Sequence, residues 1–150
     1  MAIKVLKALI VAGYTAELCM VGPDSDGTLK VVKRLAKQLN VPVTFTGKLP
    51  KKEWIALAEN YNIFINTTNF DNMPVSVIEA KALGLAIVST NVGGLPYLIE
   101  DGVDGLLVEQ NNVKSMVNAI IHTISDPFAT ELRIKKARTK VEAFDWNHIK

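Results

Sequence analysis

Residues 63–94 read IFINTTNFDNMPVSVIEAKALGLAIVSTNVGG, and the fold is decided there. Ile63 to Asn66 is a short apolar run of strand length. A polar loop carrying Asp71 follows, Pro74 opens a helix that holds Glu79, and Gly84 stops it. Ala86 to Ser89 is a second apolar run before the turn at Gly93-Gly94. Strands alternating with helices of this size build parallel α/β sheets. Such sheets bind ligands where loops leave the carboxyl ends of their strands. The carboxylates and the helix start at that edge suit a phosphorylated sugar better than a redox cofactor.

The helix start is chemically specific. Pro74 fixes its own φ and drives Met73 toward an extended conformation, so the helix begins at Pro74 and Met73 falls at the N-cap. A methionine side chain cannot accept from the free amides of the first turn. Val75, Ser76 and Val77 then point their N–H groups into the loop, an anion site with the positive end of the helix dipole behind it. The alternative is that Asn72 or Asp71 folds back and caps the helix itself. Glu79 stands in the second turn among Val75, Val77, Ile78 and Ala80. It either faces solvent or accepts from vicinal hydroxyls such as those of a ribose. Asp71 either binds sugar hydroxyls or closes an Asx-turn.

Outward from this core the same alternation continues. Upstream, Ile3, Leu6, Leu9 and Ile10 form one face of a helix from about Ile3 to Ala12 that stops at Gly13. Leu18 to Val21 is a buried strand closed by Gly22-Pro23. Asp24 to Gly27 is a turn, and Thr28 caps a helix with Leu29, Val32, Leu35 and Leu39 inward. Val43 to Thr46 is a strand ending at Gly47, and Pro50 opens a helix with Trp54, Leu57 and Ala58 on its inner side. Downstream, a loop through Pro96 and a turn about Leu98 lead to the strand Leu106 to Val108. Val113, Val117, Ile120, Ile121 and Ile124 make a 3.6-period stripe. After Asp126-Pro127 comes a basic helix with Arg133, Lys135, Lys136 and Arg138, and Phe144-Asp145-Trp146 opens a last short one. The result is a Rossmann-like, doubly wound parallel sheet with helices on both faces, in one domain.

Bulk properties narrow the partners. At 150 residues, with 49% hydrophobic and 21% charged side chains, the chain is long enough to bury a core. A formal net charge of +2 gives no case for nucleic acid as a partner. One cysteine excludes a disulfide framework, and Cys19, in the run LCMV, reads as a buried structural thiol in keeping with a cytoplasmic protein. The opening MAIKVLKALIVAG has no small-residue cleavage site and is too short to span a bilayer. No His, Cys and Asp stand at metal-ligand spacing and no Gly-x-Gly-x-x-Gly follows a strand, so neither a metal nor a dinucleotide cofactor is expected. His122 falls beside the apolar stripe as a solvent-facing residue, and His148, near the C-terminus, stands by itself. Trp54 and Trp146 read as packing residues. The arginines and lysines of 133–138 form a solvated face, and such a basic helix also suits an acidic lipid surface.

These residues carry a family resemblance. Asp71, seven residues, then Glu79-Ala80-Lys81-Ala82-Leu83-Gly84-Leu85-Ala86-Ile87-Val88 and Gly93-Gly94-Leu95-Pro96-Tyr97 resemble the donor-binding half of retaining glycosyltransferases of the group 1 class. That class has two Rossmann-like domains, the GT-B arrangement, and a pair of glutamates at this spacing. The likeness extends through Glu17-Leu18-Cys19-Met20-Val21-Gly22, Val43-Thr44-Phe45-Thr46-Gly47 and Asp101-Gly102-Val103-Asp104-Gly105-Leu106-Leu107-Val108. It implies a nucleoside diphosphate sugar as donor and transfer of a hexosyl unit to an acceptor hydroxyl without a bound metal. Glu79 would hold the ribose hydroxyls and Asp71 the transferred sugar. The segment Asn72, Met73, Pro74, Val75 and Ser76 would meet the sugar and diphosphate, through the amides of Met73, Val75 and Ser76. The Gly47-Lys48-Leu49 turn would set backbone groups against the base, with the Lys48 side chain a solvated charge. Gly93-Gly94 would shape a turn beside the site.

The departures are equally specific. Asp71 is one methylene shorter than the usual Glu, Asn72 replaces a usual Gly, Ala86 a usual Pro, and Tyr97 stands where Glu is common. The family's donor domain begins with a strand, a Gly-Arg loop and a Lys-Gly, whose two basic residues stabilise the departing diphosphate. These and the acceptor domain are not in the sequence. The expectation is therefore an incomplete nucleotide-sugar-binding domain, inactive alone, whose first, central strand is missing from the 3-2-1-4-5-6 order. The sheet would close by pairing strand 18–21 with strand 63–66, or by borrowing a strand from a second copy. The competing reading is a nucleotide-binding Rossmann-like module without transferase activity.

Overall fold

The computed structural model of the chain describes residues 2–21, 29–47, 50–66, 75–91 and 99–148. In order these form α1 (Ala2–Val11), β1 (Leu18–Val21), α2 (Leu29–Leu39), β2 (Val43–Gly47), α3 (Lys51–Ala58) and β3 (Ile63–Asn66). Then come α4 (Val75–Ala82), β4 (Ala86–Thr90), β5 (Leu106–Val108), α5 (Val113–Ser125) and α6 (Pro127–His148). They fall into two compact units, Met1–Ala56 and Leu57–Lys150. The expected turn at 22–27, the Thr28 cap and the turn about Leu98 lie outside the described residues, as do the side chains of Trp54, Trp146 and His148.

In the first unit β1 and β2 pair in parallel, Leu18 opposite Val43 and Met20 opposite Phe45, with an irregularity after Met20. Helix α1 turns Ile3, Val5, Leu6 and Leu9 inward and α2 turns Ala36 inward. Gly13, at φ +100°, ends α1: its N–H bonds to the Ile10 carbonyl and the Tyr14 N–H to that of Leu9. This is a Schellman stop, where a left-handed residue lets the chain return and satisfy the last carbonyls. Asn40 at φ 53° ends α2 the same way, bonding to Lys37, with Val41 bonding to Ala36. Cys19 is half-buried rather than fully enclosed. Among the described residues β1 has one strand neighbour, β2.

In the second unit β3, β4 and β5 form a parallel sheet in that order, Ile63 opposite Ala86 and Val88 opposite Leu106. All five residues of central β4 are buried, as a parallel strand flanked by neighbours and helices requires. Helices α4, α5 and α6 pack against it. The neighbour orders β1-β2 and β3-β4-β5 are each those of a doubly wound α/β fold. Among the described residues β1 bonds to β2 within the first unit, and β3 to β4 within the second.

Three expectations need correction. The buried line of α5 is Met116, Ile120 and Thr123, while Ile124 is 47% exposed. The helix is rotated from the predicted stripe because Thr123 can go inside: its hydroxyl donates to the Ala119 carbonyl at 2.8 Å. The last short helix does not start afresh at Phe144, since α6 runs on through it to His148. Between Pro127 and His148 there is no glycine or proline to break it. Arg133 is not on a solvated face. It is 8% exposed and donates to the Thr130 hydroxyl at 3.1 Å, which in turn donates to the Thr123 carbonyl at 2.7 Å. No helix among the described residues is long and apolar enough to cross a membrane.

Candidate functional site

Parallel pairing fixes where the chain leaves the sheet of the second unit. Because β3 and β4 run the same way, both end at one edge, at Asn66 and Thr90. Segments 67–74 and 92–98 follow from there, and with them Asp71, Asn72, Met73, Pro74 and the Gly93-Gly94 turn lie outside the described residues. The backbone resumes at Val75, where α4 begins one residue after Pro74. The first amides of such a helix, at Val75, Ser76 and Val77, have no carbonyl within the helix to bond. Gly47 closes β2 in the first unit, opposite Val21, and Lys48 and Leu49 lie outside the described residues.

Which way α4 faces decides the role of Glu79. Val77 and Ala80 are fully buried and Lys81 is 2% exposed, so these three residues mark the core side. At 100° per residue Glu79 stands on the opposite side of the helix. It is half-buried, and among the described residues its carboxylate has no hydrogen-bond partner. The helix ends at Gly84, φ +81°, whose N–H bonds to Lys81 while that of Leu85 bonds to Ala80. Thus the element predicted for 74–83 is present, with its acidic residue turned away from the packed face.

The core side of α4 holds chemistry that the sequence pattern hides. Lys81 Nζ lies 3.2 Å from Asp104 Oδ2, and Lys140 Nζ reaches the same oxygen at 3.1 Å. The other oxygen, Oδ1, accepts from the Glu100 N–H at 2.7 Å. Asp104 is 3% exposed, Lys140 48%. Burial pushes the Lys81 amine below its ordinary value, the attraction and hydrogen bond of Asp104 offsetting this in part while the Lys140 charge adds to it. Burial alone would raise the Asp104 carboxyl. The Glu100 amide, the Lys81 charge and the hydrogen bonds from Lys140 and Lys81 outweigh that and hold it below the usual carboxylate range.

Asp104 belongs to a tight turn, 100–105, that delivers the chain to β5. Val103 and Asp104 donate to the Glu100 carbonyl, Gly102 to that of Gly105, and Leu107 to the Asp101 carboxylate at 3.0 Å. Gly105 is required by packing: a Cβ there would stand 3.0 Å from Ile99 Cγ2 and 3.2 Å from Ile87 Cβ. Lysine between two alanines in a helix reads as solvent-facing from sequence. The signal that could have found it is the spacing Val77, Ala80, Lys81, which places all three on one face.

Comparison with known proteins agrees with this architecture. The sucrose-phosphate synthase of Thermosynechococcus elongatus superposes on 98% of the chain with a TM-score of 0.85 and 25% identity, the chain covering 39% of it. The Anabaena protein HepE in complex with UDP-glucose covers 93% of the chain at TM-score 0.82 and 20% identity, and the chain covers 40% of it. Among curated relatives, the D-inositol 3-phosphate glycosyltransferase of Mycolicibacterium paratuberculosis is 26% identical over 143 residues, 93% of this chain and 31% of that protein. The Escherichia coli UDP-Gal:alpha-D-GlcNAc-diphosphoundecaprenol alpha-1,3-galactosyltransferase is 28% identical over 80 residues, 53% of this chain and 20% of that protein. The chain therefore spans a fifth to a third of the length of these relatives. The family model described as "Glycosyl transferases group 1" matches residues 1–141, and the chain belongs to that family.

Proposed function

We propose that the chain is the donor-binding domain of a retaining glycosyltransferase that moves a hexosyl unit from a nucleoside diphosphate sugar to an acceptor hydroxyl. The observation that carries this is the orientation of α4. The helix starts beside the carboxyl edge of a parallel sheet and turns the half-buried Glu79 away from the buried Val77 and Ala80. A carboxylate so placed accepts from two vicinal hydroxyls, the hydrogen-bonding pattern of a ribose. The leading amides and dipole of the helix favour a diphosphate. Asp71 then takes the transferred sugar, Asn72, Met73, Pro74, Val75 and Ser76 line the sugar and diphosphate, and Gly47, Lys48 and Leu49 offer backbone groups to the base. Charge on the leaving diphosphate is met by the helix dipole together with basic groups of a longer protein, without a metal. The UDP and UDP-glucose complexes of HepE support a uridine nucleotide as the first donor to try.

Titration calorimetry with uridine diphosphate, set against a nicotinamide dinucleotide, tests the reading. The nucleoside diphosphate is expected to bind and the dinucleotide not. Glu79→Gln should weaken binding by roughly tenfold, the worth of a hydrogen bond to a charged group. Equal binding by wild type and Glu79→Gln removes the ribose role. With UDP-glucose and an acceptor alcohol, the isolated chain is expected to bind donor without turnover.

A further inference from the structure

The donor reading leaves the Lys81–Asp104–Lys140 cluster without a task. Two of its members are almost wholly buried, at 2% and 3% exposure. Desolvating such charges cancels most of their attraction, and apolar residues of the same volume often hold a core equally well. What an ion pair adds is one preferred geometry, fixing register where apolar packing leaves it loose.

Helix α4 is a case where register is otherwise weakly held. It has eight residues, and among the side chains described its buried face holds, beside Val77 and Lys81, the small Ala80, with Gly84 just past its end. A Cβ at Gly84 would sit 3.8–3.9 Å from Ile134 and Arg138 of α6, in ordinary contact, so the glycine itself contributes no knob that would stop rotation. Lys81 supplies the stop. Its partner carboxylate is itself fixed by the Glu100 amide at 2.7 Å and shared with Lys140 from α6. Lys81 and Glu79 project about 200° apart, so fixing one azimuth fixes the other. A rotation of α4 by about 20° would carry the Glu79 carboxylate roughly 2 Å, given a helix radius with side chains of about 5–6 Å. That is enough to break a hydrogen bond to a ribose.

We propose that the Lys81–Asp104–Lys140 cluster is a register lock on α4, with Lys81 a positioning residue that sets where Glu79 meets the ribose of a nucleotide sugar. This rests on the donor reading above. Lys81→Met keeps the length of the side chain and leaves Asp104 its bonds from Glu100 and Lys140. The variant is expected to melt within about 4 °C of wild type yet bind uridine diphosphate roughly tenfold more weakly by calorimetry, in the range that small misplacements cost. A double-mutant cycle supplies a readout that simple loss of packing would not move. With α4 already rotated, Glu79→Gln should cost far less in the Lys81→Met background than alone, although the two side chains face opposite ways. Should Lys81→Met fail to fold, Lys140→Met removes the half-exposed cation and should weaken binding in the same direction by a smaller factor. A wild-type chain that binds no uridine diphosphate overturns the donor reading and the lock with it. Binding by wild type with strictly additive effects of Lys81→Met and Glu79→Gln, or with unchanged affinity in Lys140→Met where that is the variant that folds, overturns the lock alone.

Discussion

Asp104 shows how a single side chain organises the second unit. Its carboxyl stands below the usual carboxylate range in the folded chain, so its contribution is complete above the unfolded value of about 3.9 and is lost as pH falls through the folded value. Lys81 acts in the opposite sense. Its folded value is lowered, so the cost of keeping it charged is present at neutral pH and is relieved as pH rises toward the unfolded value. Asp104→Asn would retain an oxygen for the Glu100 amide while removing the charge that faces Lys81. The expected loss at neutral pH is about 3 kcal/mol, typical of breaking a buried pair from one side. Urea titrations at several pH values check this: the difference from wild type should narrow in acid, where the wild-type carboxyl also becomes neutral. A difference that persists unchanged in acid would assign the loss to shape and not to charge.

At the scale of elements, stability depends on how each helix is started and stopped. The Asn112 side chain accepts from the Ser115 N–H at 2.9 Å and opens α5. Asp126 accepts from the Ala129 N–H at 3.1 Å and opens α6, with Pro127 at its first position. Asn112→Ala should cost about 1 kcal/mol in a urea melt, with no change in nucleotide affinity. Punctuation of this kind is what made the fold legible from sequence. Strands Leu18–Val21, Ile63–Asn66 and Leu106–Val108 were readable as short apolar runs between turn residues, and Gly13 and Gly84 as helix stops. Two features were hidden for the same reason. Thr123 satisfies its hydroxyl locally and so behaves as a core residue, and Lys81 finds a carboxylate 23 positions away. Periodicity records hydrophobicity, not whether a polar group will meet a partner. Glu79 was placed on the right helix by pattern; its facing side came only from the burial of Val77, Ala80 and Lys81.

At the scale of the whole molecule, binding and stability are linked by mass action. A ligand that binds only the folded chain stabilises it by about 2.7 kcal/mol at a hundredfold excess over its dissociation constant. Uridine diphosphate should therefore raise the thermal midpoint of the chain, and Glu79→Gln should blunt the rise. A nicotinamide dinucleotide should leave the midpoint where it was; scanning fluorimetry distinguishes these outcomes. The shared carboxylate of Asp104 also has a bearing on descent. Lys81, Asp104 and Lys140 lie on three different segments yet meet at one point. A lineage that replaced the aspartate alone would strand a buried cation, whereas one that also exchanged Lys81 for methionine would leave only the half-exposed Lys140 at that point. Positions 81 and 104 should therefore change together across related sequences, leaving a correlated pair where each column by itself would look merely variable.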